Sequence, residues 1–354
     1  MFLGSDRRYW GKEREMEDQF QLLPFATLPP LPSAFALPQC VSFGEEIVIC
    51  GGYHNNRCYS YHIKKQQYKP VCMYPKEVKL KGHTVVSYPC KEDANTLVIL
   101  SFGGDDLSCP YHTLWMHYKS VWENESEKKE GEGKTSRIRN KWYPLPNLAV
   151  LGKEQHHNLR GARGVISGSA NHLLFITRPP NKIDVFDLNT FTYMEVVRNN
   201  TVRIDKQLQY HCFLLLTKTN SFVCICEDRT LLIEFHEANA SFSYQQLPGC
   251  YSLRNWWNSG FIKYNHLIFL FGGQDYHRST YQQSIFVYNV KTQTWSDCNL
   301  RMPVPIGDCF VIAVHPFSSL HVFGGRGQDS ERQHTHLLLH LLVCTIQNKT
   351  KIQK

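Results

Sequence analysis

The sequence predicts an all-β protein: a single six-bladed β-propeller of four-stranded antiparallel blades, its ring closed by an N-terminal strand. Three observations predict it. A short apolar run ends in a glycine pair four times, in Ile47–Gly52, Leu97–Gly104, Leu267–Gly273 and Leu320–Gly325. The spacing repeats, since Gly51 to Gly103 and Gly272 to Gly324 are both 52 residues (103 − 51 and 324 − 272). A strand-built period of that size marks an array of sheets that bury their faces only against one another. Finally, an orphan segment, Phe25–Pro32, precedes the first full repeat and has the rhythm of Trp295 to Pro303.

The units can be justified in order. In the middle of the chain, Leu173–Ile176 runs into Thr177-Arg178 and Phe222–Cys226 into Glu227-Asp228, so both occupy the anchor place with the glycines replaced. A first strand precedes each anchor: Cys40–Phe43, His83–Ser87, Ala162–Ile166, His211–Leu216, Ser259–Lys263 and Cys309–Val314. Glycine suits the inner end of an anchor, where backbones crowd toward the axis and the chain turns with positive φ. The third strands are aromatic and β-branched, as in Ile183–Phe186 and Ile285–Tyr288, and end in the polar turns Asp187–Thr190 and Asn289–Thr292. Fourth strands start on a large aromatic (Tyr68, Trp142, Phe191, Phe242, Trp295) and lead to Leu/Met-Pro steps. The last unit has no such strand before the sequence ends. Phe20–Leu28 is expected to supply it, removing a free edge.

The expected domain map is a charged tail over 1–19, the propeller over 20–346 and a basic tail over 347–354. Within it, residues 119–141 alternate Glu with Lys and have almost no core-forming side chains, so they read as a solvated, mobile insertion in the second blade.

With 42% hydrophobic and 13% aromatic residues, the chain can fill a large core. The formal charge of +8 is scattered rather than striped. That argues against a nucleic-acid groove and for weak attraction to acidic partners. A monomer is expected. The thirteen cysteines are odd in number, and no Cys-x-x-Cys occurs. Cys50, Cys212, Cys224 and Cys226 lie in apolar strand patterns, as reduced thiols of a cytoplasmic protein would, and a nuclear location is equally compatible. No apolar stretch reaches the roughly 18–20 residues of a membrane span, and Met1–Phe20 has no secretory apolar core.

The apolar run, the glycine pair, the aromatic Tyr288 and then Trp295, 22 residues after Gly273 (295 − 273), resemble the kelch repeat of the galactose-oxidase-like propellers. The resemblance covers Phe20 to Ile346. It is most specific in the fifth unit and degenerate in the third and fourth. It implies a kelch propeller, and kelch binding proteins generally use the face around the channel mouth. Strand alternation independently sorts the loops. Those joining strands two and three emerge on one side, together with those leading to the next blade.

That side should carry Arg163, Arg178, Arg254, Trp256, Trp257, Tyr276, Arg278 and Arg326, along with Tyr53-His54, Asp105-Asp106 and His156-His157. Arginine offers a planar multi-donor fork and tryptophan a large rigid area, which makes both frequent interface anchors. A ring of five arginines favours an acidic peptide or carboxylate. The expected function is therefore a non-enzymatic platform for a protein or peptide partner, with no nucleic acid, membrane, cofactor or metal. The alternative is an enzyme acting on a small sugar or carboxylic acid in the channel mouth. Some kelch-like propellers are copper oxidases, iron-dependent lyases or sugar mutarotases. Here the histidine pairs at 156–157 and 334/336 have no identifiable third ligand, and the lyase spacing Glu-x3-Asp-x3-His is absent.

Overall fold

In the computed structural model, each apolar anchor run is the second strand of an antiparallel sheet and is almost wholly buried. The structure describes residues 19–104, 112–122, 139–146, 150–152, 158–314 and 319–344. The core of the charged insertion (123–138), both tails, Asp105-Asp106 and His156-His157 lie outside the described residues.

Among the described residues five sheets are four-stranded, one is five-stranded, and a separate ribbon has three short strands. The first sheet comprises Cys40–Phe43, Glu46–Gly52, Asn55–His62 and Gln67–Met73, paired in chain order. The second to fifth sheets repeat that order, with first strands at His83–Pro89, Arg163–Ser167, Cys212–Leu215 and Gly260–Tyr264. The sixth contains Phe310–Val314, Ser319–Phe323 and His336–Cys344. Two N-terminal strands lie along its outer edge. Gln19–Leu22 pairs with Leu341 to Cys344, and Ala26–Thr27 pairs with Leu337 and Leu338.

The reason both faces of an anchor strand are buried lies in the period of two: alternate side chains go to opposite neighbours. Leu97 and Ile99 pack toward the first sheet with Val48, Cys50 and Met116. Leu100 and Phe102 pack toward the third, with Leu174, Ile176 and Phe186. The same division continues between consecutive sheets, and another cluster joins Ile312, Val314 and Phe323 of the sixth sheet to Ile47, Ile49 and Tyr61 of the first.

The polar turns after the third strands form as their residue types dictate. Asp187 Oδ1 accepts from the Asn189 amide at 2.7 Å, and Asn289 Oδ1 accepts from the Lys291 amide at 2.9 Å. The fourth strands of sheets two and three are shorter than expected, only Tyr143–Pro144 and Thr192–Tyr193. Pro144 has no amide to continue a ladder, and Phe191 sits at φ 55°, a turn conformation rather than an extended one. Trp142, expected to lead its strand, instead stacks on Tyr74 in the core, with ring centroids 4.3 Å apart. The base of the insertion is closed by reciprocal bonds: the Lys119 amide donates to Asn140 Oδ1 at 2.9 Å, and Asn140 Nδ2 donates to the Lys119 carbonyl at 3.1 Å.

At the inner end of each first strand the chain passes through a left-handed residue: Leu37, Gly82, Gly161, Tyr210, Asn258 or Asp308. These positions bond to one another. The Gly161 amide donates to Gly82 O at 2.9 Å and Tyr210 to Gly161 at 2.7 Å. Asp308 donates to Asn258 at 2.9 Å, and Leu37 of the first sheet to Asp308 at 2.7 Å.

Candidate functional site

The necklace of left-handed residues links sheets by backbone bonds where their first strands begin. Asp308 is one of its members. Aspartate tolerates positive φ, so the backbone requirement and the carboxyl group coincide there. The carboxyl is buried, with 7% of the residue exposed, and lies 3.3 Å from Arg326 Nε. The pair is a contact of charge rather than an aligned hydrogen bond, and Asp308 Oδ1 has no hydrogen-bond partner among the described residues. Burial raises the Asp308 pKa to about 6, against the opposing pull of Arg326, Asn258, Lys81 and Arg163.

Arg326 also lies over the Tyr53 ring, 4.8 Å from its centroid, and Lys81 Nζ approaches the same ring at 5.4 Å. Arg163, at the start of the third sheet's first strand, donates from Nε to the His211 carbonyl at 2.9 Å and lies 5.2 Å over Phe261. Burial lowers its pKa to about 10, so the guanidinium still carries its charge at neutral pH.

The other predicted residues divide differently. Arg178 is not available as a ligand-binding arginine. It is 7% exposed and forms a forked pair with Asp184, with Nε–Oδ2 at 2.5 Å and Nη2–Oδ1 at 3.3 Å. The sequence expectation of a ring of five equivalent arginines is corrected accordingly. Arg163 and Arg326 both act on the Asp308 carboxyl, Arg178 is paired internally, and Arg254 and Arg278 are exposed. Arg254 is exposed, 5.9 Å from the Tyr251 ring, and Arg278 is held only loosely by Asp275 at 3.9 Å.

Trp256, Trp257 and Tyr276, expected in plain connections, belong to the three-stranded ribbon. Trp256–Trp257 pairs with Gln274–Asp275, which pairs with Thr280–Tyr281. The ribbon stacks Trp257 on Tyr276 with centroids 5.1 Å apart and planes 13° from parallel, leaving Tyr276 62% exposed. Trp256 packs edge-on against Phe286 at 5.2 Å and so anchors the ribbon to the fifth sheet. A small cleft beside it is lined by Gln207, Tyr210, His211, Glu227, Trp256 and Trp257.

Of the histidines considered as metal ligands, His334 and His336 are engaged with other groups. His336 is buried between Tyr68 OH at 2.6 Å and His321 at 2.9 Å, and His334 Nδ1 lies 2.6 Å from the Leu31 carbonyl. Among the described residues no group of three or more His, Cys, Asp or Glu could hold a metal ion. No helix among them is long and apolar enough to cross a membrane.

Sequence reasoning missed Lys81 and Asp308. The signal was present in the repeat itself: aligning the residue before each first strand places Asp308 beside glycines and Asn258, all types that accept positive φ.

Antiparallel sheets that bury both faces against consecutive neighbours define a β-propeller. The solved structure of YjhT has the same shape, with a TM-score of 0.61 over 92% of this chain and 98% of that one at 10% identity. The fold is that of a β-propeller, and the Kelch motif family model matches residues 259–299, the fifth sheet and its ribbon. No curated protein matches the sequence. Because 829 solved chains match this one in shape, the fold by itself assigns no activity.

Proposed function

We propose that the chain is a non-enzymatic, monomeric binding platform: a six-bladed wheel, closed by the N-terminal strands on the sixth sheet, that takes an acidic protein or peptide segment on the face around the channel mouth. The observation that carries this reading is the convergence of Arg326, Lys81 and Arg163 on one buried carboxyl, Asp308. The exposed Trp257–Tyr276 step beside Arg254 and Arg278 adds the rigid aromatic area typical of interface anchors. The closed-wheel reading is supported by the backbone bonds that link Asn258 to Asp308 and Asp308 to Leu37, and by the apolar cluster between the sixth and first sheets.

The test is an array of acidic, neutral and basic peptides probed with the intact protein and with an Arg163→Ala/Arg326→Ala double variant. Preferential binding of acidic peptides, lost in the variant, is the expected result. Equal binding by both proteins would sink the assignment of the mouth.

One observation favours the second reading, an enzyme for a small sugar or carboxylic acid. A buried carboxyl poised near pH 6 beside an arginine is a combination used in acid–base chemistry. Turnover of such a compound, abolished by Asp308→Asn, would establish it over the platform.

A further inference from the structure

Tyr53 lies at a convergence of positive charge. Lys81 and Arg326 both lie over its ring, at 5.4 and 4.8 Å, and Arg332 Nη1 donates to the carbonyl of the next residue, His54, at 2.8 Å. The His54 ring leans on Tyr53 with centroids 4.0 Å apart, and its pKa is lowered first by burial and then by Arg332, Lys79, Arg326 and Lys81. Such a histidine reports a local field that favours anions. Within this group Arg326 has one buried acidic neighbour, Asp308, in contact by charge at 3.3 Å but not in aligned hydrogen-bond geometry. A carboxylate so placed occupies the guanidinium that an incoming anion would need.

We propose that Tyr53, Lys81, Arg326 and Arg332 form a subsite for a single carboxylate-type anionic group, and that Asp308 is its built-in competitor, released by protonation. The inference rests on the platform reading and deepens it by naming where the acidic group sits and what controls its binding. The sign follows from the chemistry. Above about pH 6 the Asp308 carboxylate holds Arg326, and below it the neutral carboxyl lets go, so affinity for an anion rises as pH falls. The groups facing Asp308 are Arg326 from the sixth sheet, Lys81 before the second, Arg163 on the third, Tyr210 before the fourth, Asn258 before the fifth and Tyr281 from the ribbon. Of these, Arg163 is lowered only to about 10 and burial raises the Tyr210 and Tyr281 hydroxyls, whereas Asp308, at about 6, changes charge between pH 5.5 and 7.5.

The test uses the full chain and a rhodamine-labelled hexaglutamate peptide, followed by fluorescence anisotropy at pH 5.5 and pH 7.5 and constant ionic strength. The wild-type protein should bind roughly five- to tenfold more tightly at the lower pH, the size of an ordinary coupling between sites. Asp308→Asn keeps a residue type suited to positive φ. It should bind at both pH values with the tighter affinity. A Lys81→Ala/Arg332→Ala variant, which leaves the buried Arg326–Asp308 pair intact, should weaken binding at both. Retention of the wild-type pH profile by Asp308→Asn would overturn the competitor role, and unchanged affinity in the Lys81/Arg332 variant would overturn the subsite. The platform reading fails separately, through the peptide array: a protein with this proton-linked subsite could bind hexaglutamate and still show no selectivity for acidic partner sequences.

Discussion

Sheets one, two, five and six bring their inner ends together by omitting side chains, whereas sheets three and four do so by using them. In the first group the anchor strand ends in glycines. At Gly325 φ is 112° and an added Cβ would lie 2.7 Å from the Gly307 carbonyl oxygen, so only a residue without Cβ fits. In the second group Thr177 Oγ1 meets His211 Nε2 at 2.7 Å, Arg178 forks onto Asp184, and Glu227, at φ 51°, pairs with Lys206 at 2.7 Å. The lesson is that close approach of backbones and buried polar bonding are interchangeable ways to finish a blade. They should fail differently.

The largest effect is expected in the side-chain half. Arg178→Ala strands Asp184 in a site where its side chain is only 11% exposed, and should cost about 3–5 kcal/mol. Chemical denaturation measures it, and a loss below 1 kcal/mol would show that the pair contributes little. In the glycine half, Gly325→Ala should cost about 2–3 kcal/mol through backbone strain and the crowding of Ile306 and Gly307. If instead the variant is neutral, the close-approach account of that half is wrong.

Acid should separate the halves more finely. Burial lowers the pKa of His83 and His321 to about 4, of His112 to about 3 and of His336 to about 2. An unfolded histidine titrates near 6.5, so the unfolded chain takes up protons that the folded one refuses, and stability drops as pH falls from about 6.5 toward 4. Asp308, raised to about 6, acts in the opposite sense and offsets part of the loss. These four histidines belong to sheets two and six, while His211 alone represents the other half among the buried ones. At pH 4.5, hydrogen exchange corrected for intrinsic rates should therefore accelerate about tenfold more in sheets two and six than in three and four, roughly 1.4 kcal/mol. Uniform acceleration would contradict this. The smallest effect is expected for Lys206→Met, which breaks a partly exposed pair and should cost no more than about 1 kcal/mol in the same denaturation assay.

The contrast also explains what the sequence made legible. Period-two burial, glycine pairs and Asx turns act within a few residues, so the anchor and first strands could be placed nearly to the residue. Even the replaced anchors Leu173–Ile176 and Phe222–Cys226 were readable, because burial on both faces leaves a continuous apolar run. The ribbon was not, since Gln274–Asp275 and Thr280–Tyr281 carry no apolar alternation. Among the site residues, type was visible and partner was not. Arg178 and Arg326 look alike in sequence. What distinguishes them is Asp184, six residues from Arg178, and Asp308, which precedes the strand paired with the one before Arg326. Lys81 and Tyr53 meet only because successive repeats are packed side by side.

The five-stranded sheet draws on residues 19–27 and on residues 336–344. During synthesis residues 19–27 are made long before residues 336–344, so these outer strands wait for their partner while the intervening sheets are made. In that interval Gln19–Leu22 and Ala26–Thr27 have no ladder of their own sheet to join.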